Sequence, residues 1–177
     1  MNLRRLPGLS RLYLRHPGLT RPVCQVLVET VAVCLARHHL PPALFVIGRG
    51  RTGSTSVRVD WRPPSDRQQA AHKNFIDTTE LGAYGISLAA IEAELGLVAL
   101  SRADTLSGAD YLVGKPEADS LEEALRLEVS GVDYGDMTDV ERRVRIKVAQ
   151  VRKPSDDAWL VSVVAFRQKA VRIEAQS

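Results

Sequence analysis

Apolar positions recur along the chain in rhythms that alternate between helix and strand. Thr20-Arg21-Pro22 has the form of a helix start, with Thr20 as N-cap and proline in the first turn. Val23, Leu27, Val31, Cys34 and Leu35 continue it as one apolar stripe to about His38, and Pro41-Pro42 stops it. Residues 43–48 are a short apolar strand, and residues 55–61 alternate, with Val57, Val59 and Trp61 on one face. The glycines between them suit a hairpin. The polar residues 66–74 start a helix that breaks before a longer one at 77–95. In that longer helix Leu81, Tyr84, Leu88 and Ile91 recur at helical spacing. Gly82 and Gly85 lie inside it, at a cost of roughly 1 kcal/mol each relative to Ala, and their presence predicts close packing against a sheet.

After Gly96 the rhythm changes. Residues 97–102 make a strand, Ser107-Gly108 a turn, residues 109–113 the return strand, and residues 125–132 a third, alternating strand. Thr138-Asp-Val-Glu141 is a capping box that starts another helix, with Val140, Val144, Val148 and Val151 on its apolar stripe. Arg143, Lys147 and Gln150 fall on a different face, and Pro154 ends the helix. Residues 158–166 are almost continuously apolar, the mark of a strand buried on both faces. Residues 170–175 have the character of an edge strand. The order predicts an α/β (α+β) fold: a mixed central sheet with flanking helices and an αβββαβ core, preceded by an N-terminal helix and a β-hairpin. Residues 1–22 form a basic N-terminal arm on a single domain, 23–177, whose core spans about 77–166.

Composition narrows the class. The 177 residues are 45% apolar but only 5% aromatic, so the core is aliphatic, and a stacking platform for single-stranded nucleic acid is not expected. No run of about 18 apolar residues exists, so no membrane span is expected. Cys24 and Cys34, ten positions apart on one helix, would be about 15 Å apart, too far for a disulfide; free thiols suit a cytoplasmic protein. Adjacent His38 and His39 point in different directions and make a poor metal pair. Arginine outnumbers lysine 19 to 5, the bias of GC-rich bacteria. Arg4, Arg5, Arg11, Arg15 and Arg21 precede any acid, but Pro7, Pro17 and Pro22 interrupt the helix that a transit peptide needs. The net charge of +3 conceals a segregated layout. Residues 103–141 carry eleven acids against Lys115 and Arg126, whereas residues 142–153 carry six bases and no acid. Two solvated faces explain such a layout; so does a metal site beside a phosphate-binding surface.

Three acids sit where that second reading needs them. Gly108-Ala109-Asp110 opens the second core strand, Leu127-Glu128-Val129-Ser130 lies in the third, and Glu80 lies in the preceding helix. Together with the element order, they resemble the restriction-endonuclease-like superfamily, the PD-(D/E)xK nucleases, over residues 77–166. The resemblance implies a metal-dependent phosphodiesterase, a hydrolase acting on DNA or RNA. Asp110 and Glu128, with the Val129 carbonyl, would hold Mg²⁺ or Mn²⁺, and Glu80 would assist. Hard oxygen ligands suit such a cation, which polarises a phosphate and acidifies a water. Ala109 replaces the motif's proline, and Ser130 replaces its lysine. Lys147 on the next helix is the candidate substitute, with Lys115 behind it, so the catalytic set is Glu80, Asp110, Glu128 and Lys147. Arg49, Arg51, Arg143 and Gln150 are the expected nucleic-acid contacts.

Each residue also has an ordinary reading. Asp110 would pair with Arg102 across the hairpin, Glu128 would face solvent, Glu80 would favour the helix dipole, and Lys147 would belong to a solvated face. The alternative function is a catalytically inactive nuclease fold serving as a nucleic-acid-binding or protein-assembly module; a homodimer is compatible with both. Gly48-Arg-Gly-Arg-Thr-Gly-Ser-Thr55 imitates a phosphate-binding loop, but Ser54 stands where lysine is needed, and a strand rather than a helix is expected next.

Overall fold

The longest apolar run becomes the centre of the sheet. In the computed structural model, which describes residues 4–50, 53–152 and 158–176, strand β7 (Trp159–Ala165) is buried at every position. The chain forms β1 (Arg4–Arg5), a 3₁₀ turn (Leu9–Leu14), α1 (Arg21–Ala36), β2 (Ala43–Arg49), β3 (Ser54–Val59), α2 (Asp66–Ala71), α3 (Phe75–Leu95), β4 (Val98–Arg102), β5 (Tyr111–Gly114), β6 (Leu125–Val132), α4 (Met137–Arg152), β7 and β8 (Ala170–Ala175). Among the described residues, eight strands form one mixed sheet in the order β1-β3-β2-β8-β7-β6-β5-β4. The β4–β5–β6 meander is antiparallel, and α4 carries the chain over to β7, parallel to β6. The expected αβββαβ core and preceding hairpin are present.

Strand alternation assigns the faces. Leu127, Val129, Leu160 and Val164 join the core under α1 and α3. Trp159, Val161, Val163 and Ala165 pack with Val140, Val144 and Val151 of α4 on the other face. Helices therefore cover both faces of the central strands, and the polar members of β6, Glu128 and Ser130, fall on the α4 side.

Four local features differ from the expectations. β8 is an interior strand, antiparallel to β7 and parallel to β2. Among the described residues it is the strand that joins the N-terminal hairpin to the core sheet, and its buried Ala170, Val171 and Ile173 explain the placement. Gly82 and Gly85 pack chiefly on α1: a Cβ on Gly85 would stand 2.9 Å from Val31 Cγ2, and one on Gly82 3.1 Å from Cys34 Sγ. Val23, on the expected stripe of α1, is instead exposed, and Cys24 is buried. Helix α4 starts one residue before Thr138, because Asp136 and Asp139 cap it reciprocally: Asp139 N–H donates to Asp136 Oδ1 (2.9 Å) and Asp136 N–H to Asp139 Oδ2 (3.0 Å). Pro154 lies outside the described residues.

The basic N-terminal segment, residues 4–22, packs on this domain. Leu12 and His16 are fully buried. Ala99 of β4 donates its N–H to His16 Nδ1 (2.9 Å) and accepts from Gly18 N–H (2.9 Å). Both bonds use the side of β4 that faces away from β5, so this segment covers the sheet edge. Cys24 and Cys34 are free and buried, and burial pushes the Cys34 thiol up to about 12. No helix among the described residues is long and apolar enough to cross a membrane.

Candidate functional site

The meander and the two helices flanking it leave a cavity of about 760 Å³ at one end of β6, lined by Glu80, Asp110, Glu128, Ser130, Lys147 and Gln150 among others. Four elements supply these side chains. Asp110 precedes β5 and is fixed through its backbone: its N–H donates to Leu127 O (2.8 Å), and its carbonyl accepts from Ala103 N–H (3.1 Å). Its carboxylate is fixed as well. Oδ2 accepts from Val129 N–H at 2.8 Å, and Oδ1 lies 2.7 Å from the Tyr84 hydroxyl. That hydroxyl is also 2.7 Å from Glu80 Oε1, one helical turn back on α3. A phenol has one proton, so Tyr84 donates to one carboxylate at a time and links the two acids as a pair. Burial foremost, then the Asp110 hydrogen bond, pushes the Tyr84 phenol well above the usual tyrosine range. It therefore stays a neutral donor.

Glu128 does not face solvent: it is 4% exposed. Burial raises its pKa above the ordinary carboxylate value, the Asp110 charge adds to the rise, and the Lys147 hydrogen bond opposes it. Lys147 Nζ donates to Glu128 Oε1, and Gln150 Nε2 donates to the same oxygen at 3.2 Å. Lys147 also reaches Gln150 Oε1 at 3.3 Å. The Lys147 amino group thus reaches the Glu128 carboxylate from α4, and Ser130 of β6 lines the same cavity. Arg143, one turn before Lys147 and exposed, lines the cavity too.

Other expected residues lie elsewhere. Arg102 does not pair with Asp110. Its guanidinium sits over the rings of Tyr111 (4.6 Å) and Tyr84 (4.9 Å). Arg49 is remote from the cavity, because β8 and β7 intervene between β2 and β6. It bonds the C-terminal end of α3 through Glu94 O (3.2 Å) and Glu94 Oε2 (3.6 Å). Arg51 lies outside the described residues, and Lys115 lines a different pocket. β3 begins at Ser54, within the phosphate-loop imitation, so the C-terminal end of that loop runs into a strand and not into a helix.

Two features at the cavity were not anticipated. Tyr84 has the helical apolar spacing of a core residue; the sequence signal for its contact with Glu80 is their i, i+4 relation. The second is a polar cluster behind the rim. Asp133, whose side chain is 1% exposed, pairs with Arg37 and with His38 Nε2 (2.5 Å). Arg37 lies 4.6 Å over the Phe75 ring, Phe75 stacks on Tyr134 (5.6 Å, 19°), and His38 meets Tyr134 edge-on (4.7 Å).

The donor chemistry fits a hard divalent cation in part. Asp110 and Glu128 offer carboxylate oxygens, with neither thiolate nor imidazole in the lining. Mg²⁺ is commonly held by one or two carboxylates with water in its other positions. Among the described residues no group of three or more His, Cys, Asp or Glu is arranged to hold a metal ion, so such a cation would rely on these two acids, backbone and water. Comparison of the chain with protein-family models, with curated proteins and with solved structures finds no match.

Proposed function

We propose that the protein is a metal-dependent nuclease of the PD-(D/E)xK type, hydrolysing phosphodiesters of DNA or RNA. The observation that carries this reading is the meeting of Glu80, Asp110, Glu128 and Lys147 at one cavity, from four separate stretches of sequence. Asp110 and Glu128 are the residues that would hold Mg²⁺ or Mn²⁺. Bound there, the cation would polarise the scissile phosphate and lower the pKa of the attacking water. The protein's own groups do the rest. Val129 N–H and Tyr84 fix both oxygens of Asp110, so little reorganisation is needed on binding. Lys147 supplies the positive charge that Ser130 cannot, next to Glu128 and facing the cavity where a phosphate would develop charge. Arg143 and Gln150 are placed to hold neighbouring phosphate oxygens.

The test incubates the purified protein with single- and double-stranded DNA and RNA, with Mg²⁺ or Mn²⁺ and with excess EDTA. Cleavage that requires the cation is expected, falling at least about a hundredfold in Asp110→Asn, Glu128→Gln and Lys147→Met. Absence of cation-dependent cleavage, or cleavage that survives in Asp110→Asn and Glu128→Gln, overturns the reading. Salt-sensitive binding without cleavage identifies the alternative, an inactive binding module.

A further inference from the structure

Among the described residues, five acids and three bases line the cavity, and one of those bases, Lys147, is already paired with Glu128. The charge of the cavity therefore suits a cation. Glu80 and Asp110 differ in their settings within it. Asp110 is partly buried, with Val129 N–H donating to Oδ2 at 2.8 Å, whereas Glu80 is exposed on the second turn of α3. Water can satisfy an exposed carboxylate, so burial does not oblige Glu80 to bond to the protein. Yet the Tyr84 hydroxyl stands 2.7 Å from Glu80 Oε1 and 2.7 Å from Asp110 Oδ1. Two acceptors at equal reach compete for one phenolic proton. The ring that carries it is held. Tyr84 is 5% exposed, its ring meets Tyr111 edge-on at 5.5 Å, and the Arg102 guanidinium covers its face at 4.9 Å. What stays free is rotation of the O–H, which turns the donor from one carboxylate to the other without moving a heavy atom.

We propose that Tyr84 is a positioning residue that passes its hydrogen bond between Asp110 and Glu80, and that Glu80 serves the cation site as the acceptor of that bond and not as a ligand. The proposal rests on the nuclease reading for the place of the cation, at Asp110 and Glu128, but not for cleavage. Without a cation, the phenol holds Asp110 Oδ1 and Val129 N–H holds Oδ2, so the carboxylate keeps one orientation. A cation on Asp110 draws electron density from its oxygens and makes them poorer acceptors. Glu80 Oε1, at the same distance from the phenol, is then the better acceptor. With Glu80 absent, the buried phenol would be left without that second partner, a loss worth about a tenfold change in cation affinity. The i, i+4 spacing of Glu80 and Tyr84 on α3 keeps the acceptor in place whatever happens at β5 and β6.

The test is Mn²⁺ binding to the full-length chain by isothermal titration calorimetry, in a double-mutant cycle at Glu80 and Tyr84. Glu80→Ala is expected to weaken Mn²⁺ binding about tenfold with Tyr84 present. In Tyr84→Phe the same change should weaken it about threefold at most, the effect of removing an exposed charge nearby. Glu80→Gln keeps a side-chain oxygen as acceptor and should stay within about threefold of the wild type. Ultraviolet difference spectra give a second readout, which a merely structural role of the ring would not move. Mn²⁺ should perturb the tyrosine band of the wild type and leave that of Tyr84→Phe unchanged. Circular dichroism melts check that each variant is folded. An equal effect of Glu80→Ala in both backgrounds, or no effect in either, overturns the proposal. So does a loss in Glu80→Gln as large as in Glu80→Ala, a tyrosine band that Mn²⁺ does not change, or no Mn²⁺ binding by the wild type. The two readings fail separately. Cation-dependent cleavage with equal effects of Glu80→Ala in both backgrounds removes the Tyr84 relay and leaves the nuclease. Tyr84-dependent coupling in Mn²⁺ binding without cleavage removes the nuclease and leaves the relay.

Discussion

Glu128 shows what the site costs at the scale of one residue. A carboxylate 4% exposed, beside Asp110, is a poor choice for stability. Its pKa in the fold lies above the ordinary value near 4.3. The protonated form is therefore the one the fold favours. Its stabilising contribution is complete below the ordinary value and is lost as pH rises through the raised one. Glu128→Gln removes this dependence. Thermal unfolding from pH 4 to 8 should show the variant gaining stability relative to the wild type as pH rises. A difference constant across that range contradicts the sign. A group kept at such cost is better accounted for by what it binds than by what it holds together. Lys147 makes a related point: under the proposed nuclease reading, the charge that Ser130 does not carry stands on the neighbouring helix, at the same carboxylate.

At the scale of elements, the site depends on how closely α3 approaches β6. Gly131 permits that approach: a Cβ there would lie 2.6 Å from Thr79 O and 2.7 Å from Thr79 Cγ2. The first of these is backbone and cannot turn aside, and Thr79 immediately precedes Glu80. Gly131→Ala should therefore push the start of α3 outward, costing about 1–3 kcal/mol in thermal or chemical denaturation. If the protein cleaves as proposed, the change should also cut cleavage more than a volume change elsewhere in the core, because Glu80 and Tyr84 move with the helix. An unchanged melting temperature counts against this account. The same elements show what was legible in the sequence. Alternation located β6 to the residue, and with it Glu128 and Ser130; the valine stripe of α4 placed Lys147 on a separate face. These are local patterns, fixed by strand and helix periodicity. Tyr84 escaped because a hydroxyl at a core spacing looks like core. Arg49 was misplaced because its distance from the cavity depends on β8 entering the sheet between the hairpin and β7, a pairing between distant segments that periodicity does not encode. The Phe75–Tyr134 stack escaped for the same reason.

At the scale of the molecule, the N-terminal segment closes one edge of the sheet and brings a pH dependence with it. His16 is fully buried, accepts from Ala99 N–H through Nδ1, and meets Glu92 Oε2 through Nε2 at 3.1 Å. That pattern is the neutral Nε2–H tautomer. Burial lowers its pKa despite the opposing influence of Glu92. With the folded value depressed, its contribution is complete above the ordinary value near 6.5 and is lost as pH falls below it. Unfolding monitored from pH 7.5 to 5 should show declining stability in the wild type and a flatter profile in His16→Gln. The variant should also be weaker at pH 7.5 by about 1–3 kcal/mol, the cost of disturbing buried hydrogen bonds. At the other side of the sheet the consequence is one of timing. Val46 of β2 takes Ala170 of β8, more than a hundred residues later, as its register partner. A ribosome moving at roughly 5–20 residues per second delivers the hairpin and most of the core long before the strand that joins them. Until β7 and β8 emerge, β2 and then β6 each present an open edge to the cell, and contacts of such long sequence separation are slow to form. The nascent protein thus exists for seconds as two incomplete sheets, a state in which chaperone protection matters more than the stability of the finished fold.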